Sequence, residues 1–328
     1  SRFQNQHGRP LLSEMLTADT LWPRVREQSI QAADSGALVP LETSVHTLED
    51  QGVPFIVRMA QNLDRKKAAS PQSNEGPRKD PFLPPYEPDL YVGDICATHV
   101  GLLNKFCVLQ HHLLMVTRDY AEQTELLDES DFHALLCGLA AVDGLAFYNG
   151  GTDAGASQPH KHLQLVPLPL APGSNNLPLA PKLIPDNAAH ENAAEGTVSS
   201  RSDLPFAHAI TPMPRGCLEA PEQGARQLLG AYHALWSALG FKLEGRHQPI
   251  PYNLLATREW LWLVPRSRET WQGLGANGLA FAGALMVRDP SEYTRLESLG
   301  PMRLLTQVTT AWNQTIWWGR CRSGYARL

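Results

Sequence analysis

The amino-acid sequence predicts an α+β fold in which most strands pair as antiparallel hairpins. Short apolar runs typical of strands lie on both sides of turn-forming residues, at residues 145–148 with 160–166 and at 252–257 with 260–264. Stretches with the spacing of an amphipathic helix lie ahead of each hairpin, at 130–142 and 222–239. Because helices and hairpins are mixed along the chain, α+β is the favoured fold class.

The first part of the chain combines helical and extended patterns. Apolar residues recur with helical spacing over residues 10–37, and because Pro23 suits a helix start better than a helix middle, we predict two helices there. Residues 41–50 are predicted to be a polar connector, and residues 69–88, rich in proline, serine and charge, a loop. Strands are predicted at 53–59, 91–99, 102–108 and 112–116.

The remaining segments complete the same unit. A strand is predicted at 204–210 and a closing helix at 302–318. Residues 167–201 exceed the usual loop length and indicate either a surface excursion or the junction between two halves. We therefore predict an N-terminal part, residues 1–200, and a C-terminal part, residues 201–328, which together build one α+β unit.

Length and composition limit the class of protein. The chain has 328 residues, of which 43% are hydrophobic and 19% charged, so it is long enough to bury a sizeable core. A net charge of −5 and an isoelectric point near 6.2 argue against a general nucleic-acid-binding surface. An anionic substrate would require basic side chains gathered locally against this acidic average.

Cysteine usage and hydropathy predict a reduced, cytoplasmic protein. The five cysteines are odd in number, scattered, and form no Cys-x-x-Cys pair, which fits neither a disulfide framework nor a zinc knuckle. No apolar run approaches the roughly 18 residues of a membrane span. The first residues lack the apolar core of a signal peptide. We therefore expect no association with a membrane.

Residues 145–170, LAFYNGGTDAGASQPHKHLQLVPLPL, contain the most informative pattern. The glycines, asparagine and aspartate of residues 149–155 tolerate positive φ or bond their own backbone, so the chain turns sharply there. In the returning strand, side chains two apart share a face. One face therefore carries His160, His162, Gln164 and Val166, and the opposite face carries Lys161, Leu163 and Leu165.

Two imidazoles and an amide beside a glycine-rich turn suit phosphate chemistry. Backbone N–H groups in such a turn bind anions, and a neutral imidazole is a nucleophile that can carry a phosphoryl-type group. Two other interpretations stay open on the pattern alone. A His-x-His strand can chelate a metal, although zinc usually takes more protein ligands and no cysteine lies near in sequence. The two histidines can also be structural, hydrogen-bonded residues.

Other polar residues stand out along the chain. Asn104 interrupts an apolar run, and because a buried amide needs partners, it either ties a bulge or binds a ligand hydroxyl. The basic cluster at residues 65–67 forms either a solvated face or a phosphate clamp beside the loop at 69–88. His111 and His112 precede a strand, a position that favours a structural role.

The residues around the two histidines resemble a known family. Asn-Gly-Gly at 149–151 and GASQPHKHLQ at 155–164 are similar to the diadenosine tetraphosphate (Ap4A) phosphorylases, also called ATP adenylyltransferases. These enzymes belong to the histidine-triad superfamily, on the branch shared with galactose-1-phosphate uridylyltransferase, where glutamine replaces the last histidine. Weaker matches follow in the expected order at 103–106 with His112, at 251–255 with 264–266, and at 277–283. The resemblance implies a histidine-triad-like, mostly antiparallel sheet flanked by helices.

The resemblance also implies a two-step nucleotidyl transfer. His162 is the implied nucleophile, which takes AMP from the tetraphosphate and releases ATP before phosphate attacks and releases ADP. His160 is implied to orient the nucleophile or bond a phosphate oxygen, and Gln164 to hold phosphate oxygens. A dinucleoside polyphosphate hydrolase and a sugar-1-phosphate nucleotidylyltransferase remain alternatives on the same scaffold. A nucleotide-binding module without turnover is an alternative of another class.

Further residues acquire implied roles in binding. The nucleotide- and phosphate-binding residues are expected to be Asn104, Asn149, Gly155, Ala156, Ser157, Lys67, Asn277 and Arg288. The N–H groups of Gly155 and Ala156 are implied to line the phosphates, and Asn104 to meet the ribose hydroxyls. Arg288 stands where relatives carry a lysine, a change that keeps the charge but alters its geometry. Candidate cations for the attacking phosphate are Lys66, Lys67, Arg266 and Arg288.

The implied chemistry sets expectations for cofactors and partners. Mg²⁺ or another divalent cation is expected to enter with the substrate phosphates, with no metal site of the protein's own and no organic cofactor. The expected partners are the nucleotide substrates Ap4A, ATP and ADP together with phosphate. Neither nucleic acid nor a membrane is expected, and the chain is expected to be a monomer or a homodimer.

Overall fold

The computed structural model describes residues 15–61, 80–174, 177–184 and 196–311. Within these ranges the helices, in chain order, are α1 (Ala18–Asp34), α2 (Glu129–Ala141), α3 (Ala180–Leu183), α4 (Pro221–Ala238), α5 (Gly278–Phe281), α6 (Pro290–Leu299) and α7 (Pro301–Val308). None of them is long and apolar enough to cross a bilayer. A single 3-10 turn, Thr152–Ala154, lies between the strands of the predicted hairpin.

The strands form one large and two small sheets. In chain order they are β1 (Thr43–Asp50), β2 (Val53–Ala60), β3 (Tyr91–Asp94), β4 (His99–Leu103), β5 (Leu113–Thr117), β6 (Gly144–Gly150), β7 (His162–Pro167), β8 (Ala209–Pro212), β9 (Tyr252–Ala256), β10 (Trp260–Pro265), β11 (Thr270–Trp271), β12 (Leu274–Gly275) and β13 (Ala284–Val287). The eight-stranded sheet has the order β3-β4-β5-β7-β6-β9-β10-β8. All of its neighbouring strands are antiparallel, which confirms the predicted α+β class.

The central strands of the large sheet are buried on both faces. On one face they pack under α2 and α4 against side chains such as Phe132 and Trp236. On the other face Phe147 of β6 packs with Phe55 of β2 and Phe281 of α5. Because each fully buried aromatic or aliphatic side chain stabilises the fold by roughly 1.5–3 kcal/mol, these two layers hold β6 and β7 firmly. Any polar side chain on β7 must therefore find partners inside the protein or in a ligand.

Strand β7 lies between β5 and β6 and presents the predicted polar face. His162 is paired in register with Val116 of β5, and Gln164 with Leu114. Leu163, between the two polar residues, belongs to the core cluster under α2. The predicted alternation is confirmed, although β7 begins at His162, two residues after the predicted start.

The structure corrects two predictions near the N-terminus. Residues of α1 continue through Pro23 as one helix, because the proline ring fixes φ near the helical value and only one backbone hydrogen bond is lost. The buried stripe that includes Leu21 and Val25 outweighs that loss. The predicted connector at 41–50 contains β1, which pairs with β2. Its residues are mostly polar, so the sequence does not show the alternation of apolar and polar residues by which a strand is identified.

Other boundaries shift by a few residues. The predicted strand at 204–210 is β8, which spans Ala209–Pro212, and the predicted closing helix is α7, which ends at Val308. Residues 312–318 of that prediction lie outside the described residues. The large sheet takes β3 to β7 from before residue 200 and β8 to β10 from after it. The division into two parts at that residue stays a prediction.

A buried ion cluster fixes β7 from the helix side of the sheet. Lys161, which precedes β7, places Nζ 2.5 Å from Asp131 Oδ2 and donates to the Leu126 carbonyl at 2.8 Å. His99 Nε2 lies 3.1 Å from Asp131 Oδ1. Asp131 also accepts the backbone N–H of Asp128 at 2.8 Å, within the capping box of α2. One carboxylate therefore joins the start of a helix to two strands of the sheet.

The charges in this cluster depend on one another. Burial alone lowers the pKa of His99, but the hydrogen bond to and charge of Asp131, together with Cys96, raise it to about 9. Burial alone raises the pKa of Asp131, yet His99 and Lys161 bring it below its usual value. His99 therefore carries a proton in the folded protein near neutral pH.

This protonation makes stability depend on pH. His99 has a pKa of about 9 when folded against 6.5 as its ordinary value, so it contributes its full stability below pH 6.5 and loses it as the pH rises to about 9. We expect the free energy of unfolding, measured with urea, to fall by on the order of 3 kcal/mol across this window. A His99→Gln variant should lack that fall. Equal pH dependence in both proteins would contradict the protonated state.

Candidate active site

His162 is held in one orientation and one tautomer. Its Nδ1 lies 2.8 Å from the carbonyl oxygen of His160, and because a carbonyl only accepts, Nδ1 carries the proton and Nε2 the lone pair. Burial lowers the pKa of His162 to about 4, with the hydrogen bond to His160 and the charge of Asp80 opposing part of this shift. The ring is 4% exposed. Within the described ranges, no protein group forms a hydrogen bond with Nε2.

His208 has the same local hydrogen bond and burial as His162, but its Nε2 has a hydrogen-bond partner. Its Nδ1 lies 2.9 Å from the carbonyl of Phe206, two residues earlier, and burial lowers its pKa to about 4. Its Nε2, however, accepts the backbone N–H of Arg201 at 2.9 Å. His208 is therefore a structural counterpart that separates the effect of burial from the effect of an available lone pair.

Gln123 holds the backbone of His162 where β6 and β7 separate. The paired residues of β6 and β7 end at Phe147 and Gln164. Beyond that point Gln123 Oε1 accepts the His162 N–H at 2.8 Å. Its Nε2 donates to the carbonyls of Asn149 at 2.9 Å and His162 at 3.2 Å. The buried side chain replaces the missing backbone pairing where the two strands separate beside His162.

His160 orients His162 through its carbonyl, while its own ring is tied to the protein. Nδ1 lies 2.7 Å from Asp80 Oδ2, and Nε2 lies 2.9 Å from both the hydroxyl and the carbonyl oxygen of Thr117. Phe82, two residues after Asp80, packs edge-on with its ring centroid 5.0 Å from that of His162. Of the two roles predicted for His160, the geometry favours orientation, since both ring nitrogens already have partners.

A chain of three side chains fixes the direction of the Gln164 amide. His112 Nδ1 accepts from Asn104 Nδ2 at 3.2 Å, and its Nε2 lies 3.0 Å from Gln164 Oε1. Burial lowers the pKa of His112 to about 4, so this ring is neutral and carries one proton, on Nε2. Gln164 therefore accepts with its oxygen and keeps its NH₂ for another partner. Asn104, just after β4, keeps its own oxygen in the same way.

The glycine-rich loop is a compact turn that offers fewer donors than predicted. Gly155 has φ of 92°, and a Cβ there would lie 2.6 Å from the Cβ of Asn277, so only glycine fits. The N–H of Gly155 donates to Thr152 at 2.8 Å and that of Ala156 to Gly151 at 3.1 Å. These bonds close the turn and use both N–H groups, so the predicted role of these groups in lining the phosphates stays a prediction.

Other predicted residues of the loop remain close to the turn. Ser157, the next residue, is exposed, and neither its hydroxyl nor its N–H has a partner in the described part of the chain. Asn149 is 1% exposed, and its Oδ1 accepts the N–H of Gly278 at 2.9 Å. Asn277 packs against the turn and caps α5 by accepting the Leu279 N–H at 3.1 Å.

Of the four predicted cations, two lie within the described residues. Arg288 follows β13, its side chain is 64% exposed, and its guanidinium pairs with Glu292. Arg266 is 1% exposed and bonded to internal oxygens, so it is not available to an incoming phosphate. Lys66 and Lys67 lie outside the described residues. Within the described ranges no group of three or more His, Cys, Asp or Glu side chains could hold a metal ion.

Family comparison agrees with this geometry over almost the whole chain. The Ap4A phosphorylase N-terminal domain matches residues 12–185, and the ATP adenylyltransferase C-terminal domain matches residues 202–311. The chain belongs to the Ap4A phosphorylase family. The resemblance inferred from the histidine motif is thereby confirmed.

Two proteins of Saccharomyces cerevisiae are similar to this member of the phosphorylase family. Protein APA1 is 28% identical over 294 residues, covering 81% of this chain and 86% of its own. Diadenosine 5',5'''-P1,P4-tetraphosphate phosphorylase 2 is 26% identical over 309 residues, covering 85% and 90%. The crystal structure of yeast Ap4A phosphorylase Apa2 in complex with AMP has a TM-score of 0.70 and 25% identity, covering 91% of this chain and all of that one. Another crystal structure of yeast Ap4A phosphorylase Apa2 has a TM-score of 0.71 and 23% identity, covering 90% of this chain and 96% of that one.

Three residues of this phosphorylase-family site escaped sequence reasoning. Gln123 lies in a loop without a recognisable motif, and Asp80 lies within the proline-rich stretch 69–88. His112 was assigned a structural role, yet it contacts two predicted site residues. Of the three, His112 alone had visible signals: the His111-His112 pair before a strand, and its place in a weak family match.

The protonation of His162 can be measured directly. Because burial lowers its pKa to about 4, we expect the ring to stay neutral, with the proton on Nδ1, down to about pH 4. Nitrogen-detected NMR of histidine-labelled protein, assigned with a His162→Asn variant, reports both the tautomer and the titration. A midpoint near the ordinary 6.5, or a proton on Nε2, would contradict the arrangement described.

Proposed function

We propose that this protein is a nucleotidyltransferase that cleaves Ap4A by phosphorolysis to ATP and ADP, reversibly, through an adenylyl-His162 intermediate. One observation carries the proposal: a neutral, buried imidazole whose Nδ1 is fixed by a carbonyl at 2.8 Å and whose Nε2 has no partner among the described residues. Membership of the Ap4A phosphorylase family supports the substrate. The chain is proposed to act in the cytoplasm on free nucleotides, not on nucleic acid or a membrane.

The first displacement forms a P–N bond. The lone pair of His162 Nε2 attacks the phosphorus of one terminal AMP unit, and the bond from that phosphorus to the bridging oxygen breaks. The electron pair of the broken bond leaves on the terminal phosphate of ATP. The Nδ1 proton stays in its hydrogen bond to His160, which stabilises the positive charge that develops on the ring. Polyphosphate is a good leaving group and needs little protonation, which is consistent with a neutral glutamine at position 164.

The second displacement restores the enzyme. An oxygen of inorganic phosphate attacks the phosphorus of adenylyl-His162, the P–N bond breaks, and the electron pair returns to Nε2. The product is ADP, and the proton of the attacking phosphate is released to solvent. Dividing the transfer in this way gives ping-pong kinetics. Run in reverse, ADP and ATP yield Ap4A and phosphate.

Charge on the transferring phosphoryl group is stabilised by positioned donors rather than by acid–base chemistry. The NH₂ of Gln164 is left for phosphate oxygens because its Oε1 accepts from His112. The hydroxyl and N–H of Ser157, exposed beside the loop, are proposed donors to the same group. Asn104, Asn149 and Asn277 remain proposed nucleotide contacts.

The cations that serve the attacking phosphate are proposed to be Lys67 and Arg288, with Lys66 as a further candidate. Arg288 would have to leave Glu292, with which its exposed side chain pairs. Mg²⁺ or another divalent cation is proposed to enter with the substrate, because Mg²⁺ is bound mainly by phosphates and waters with few protein ligands. No organic cofactor takes part in either displacement as written. Both a monomer and a homodimer fit the proposal.

Phosphate dependence tests the proposal. Incubation of the purified protein with Ap4A and inorganic phosphate should give ATP and ADP in equal amounts, by chromatography with product identification. His162→Ala should lower kcat by at least about a thousandfold, the size of effect expected for removal of a covalent nucleophile, while AMP still binds. A largely retained rate would mean that another group is the nucleophile.

The structural histidine supplies the matched control. His208→Asn removes an equally buried imidazole with the same local hydrogen bond, so it should lower stability and leave kcat within about threefold. Equal rates with and without phosphate, giving ATP and AMP, would instead identify a hydrolase. Transfer of the adenylyl group to a hexose phosphate, but not to phosphate, would identify a sugar-1-phosphate nucleotidylyltransferase.

Asn104→Ala tests the proposed ribose contact. Removing one half-buried hydrogen-bonding group should weaken AMP binding by about 1–2 kcal/mol, measured as the dissociation constant by calorimetry. The same substitution also deprives His112 Nδ1 of its donor, so kcat should fall as well. An unchanged dissociation constant would leave Asn104 with a structural role only.

A further inference from the structure

Arg266, directly after β10, is a buried cation held by neutral oxygens. It is 1% exposed. Its N–H groups donate to the carbonyls of Val308, Ala154, Arg268 and Ala276 at 3.1, 3.3, 2.8 and 2.8 Å, and to Asn253 Oδ1 at 2.6 Å. A further carbonyl, that of Glu269, lies at 3.4 Å. An uncompensated buried charge is costly. The oxygen atoms around the guanidinium must therefore be oriented towards it to stabilise its charge.

Arg266 determines which way the Asn253 amide points. The guanidinium only donates, so the amide oxygen of Asn253 must face it. The other end of that amide, Nδ2, lies 2.9 Å from the carbonyl of Ala154, which only accepts. Both neighbours therefore demand the same orientation, and Nδ2 is left to donate onward.

Asn253 in turn determines the orientation of Asn149. The two asparagines are cross-strand partners of β9 and β6, and Asn253 Nδ2 lies 2.8 Å from Asn149 Oδ1. The backbone N–H of Gly278 reaches the same oxygen at 2.9 Å. With two donors on its oxygen, Asn149 must turn its NH₂ away from them. In the described part of the chain that NH₂ has no hydrogen-bond partner.

Asn149 stands beside the nucleophile. It is two residues along β6 from Phe147, which pairs with Gln164 of β7, so its side chain shares the sheet face of Gln164 and His162. Gln123 bridges the backbones of Asn149 and His162 directly. The NH₂ at the end of the chain from Arg266 is thereby delivered to the face where phosphoryl transfer is proposed.

We propose that Arg266 and Asn253 are positioning residues, which fix and polarise the Asn149 amide so that its NH₂ faces the phosphates of the bound nucleotide. This inference rests on the proposed function, since it requires a phosphate next to His162. Hydrogen-bonded dipoles aligned from a buried cation strengthen one another where water is excluded. A donor fixed in advance stabilises developing charge without reorganisation during the reaction.

Arg266 keeps its positive charge near neutral pH. Burial lowers the pKa of Arg266 to about 10, with the charges of Glu269 and Asp153 opposing part of the shift. The group therefore remains protonated in the range where nucleotides bind. Its ring contact with Phe281, 5.3 Å from guanidinium carbon to centroid, keeps water away from one side.

The test is Asn253→Asp, which keeps the shape of the side chain but removes its N–H donors. The carboxylate can pair with Arg266, so the fold should be retained, while Asn149 faces an acceptor and is driven to reverse its amide. Calorimetry with adenosine and with AMP separates base and ribose binding from phosphate binding. The ratio of the two affinities should fall by about tenfold, the loss of one strong hydrogen bond to a charged group, with adenosine binding unchanged. An equal loss for both ligands, or no loss, would overturn the proposal.

A second experiment distinguishes an effect through the amides of Asn253 and Asn149 from direct repulsion between the new carboxylate and the phosphate of AMP. In an Asn149→Ala protein, Asn253→Asp should change the affinity ratio little, because the group through which it acts is absent. An undiminished fall in that background would overturn the proposal. If Asn253→Asp fails to fold, Arg266→Lys, which keeps the charge but not the forked geometry, should lower the same ratio, and an unchanged ratio would count against it.

The matched control is Tyr232→Phe. It removes a buried hydrogen bond of 2.8 Å to Tyr252, the neighbour of Asn253, on the helix side of the sheet. It should cost stability without changing the AMP-to-adenosine ratio, and a change equal to that of Asn253→Asp would overturn the proposal. If the unsubstituted protein bound AMP more tightly than adenosine but made no ATP and ADP from Ap4A, the proposed function would fail while this test still applied. If the unsubstituted protein bound AMP no more tightly than adenosine, both the positioning role and the proposed function would be overturned.

Discussion

The site depends on one hydrogen bond, from His162 Nδ1 to the carbonyl of His160. A carbonyl cannot donate, so this contact settles the tautomer and leaves the lone pair on Nε2. Burial then keeps the ring neutral by lowering its pKa to about 4. His208 makes the same contact under the same burial, yet its Nε2 is occupied. The two buried histidines therefore differ in one nitrogen: among the described residues, Nε2 of His162 has no hydrogen-bond partner, and this availability underlies its proposed role as the nucleophile.

Polar networks hold β7 from both faces and from its open end. On the helix side, the ion cluster of Lys161, Asp131 and His99 anchors the residue between the two histidines. At the open end, Gln123 replaces the backbone pairing that β6 no longer supplies. On the opposite face, the carbonyl of His160 orients the His162 ring, and Arg266 and the carbonyl of Ala154 orient the Asn253 amide. Gln164 and His112 are held by their hydrogen bond to each other. Several side chains near His162 thus have fixed orientations, which suits the proposed reaction, whose catalysis is mainly positioning.

Much of the fold followed from the sequence because its strongest signals are local. The two-residue alternation of β7 and the helical stripe of α2 need only neighbours in the chain. Strand β1 was missed because its mostly polar sequence, TSVHTLED, shows no clear alternation of apolar and polar residues. The continuity of α1 through Pro23 depends on tertiary burial of its apolar stripe, which overrides the local preference.

The site was predictable in its centre and not in its supports. His162 and Gln164 follow from one motif on one strand. Gln123, Asp80 and Arg266 act through contacts across many residues of sequence, and a sequence gives a residue's type but not its partner. Even within the motif, the loop N–H groups proved to be used by the turn itself, since backbone hydrogen bonding depends on the exact dihedral angles adopted.

Mass spectrometry of the intact protein, after brief exposure to Ap4A without phosphate, tests directly for the adenylyl-His162 intermediate. Peptide mapping under conditions that preserve P–N bonds then locates the adenylyl group. We expect the protein to carry one added adenylyl group, located on His162 and removed when phosphate is supplied. Turnover without any adenylylated protein, or a label on another residue, would contradict it.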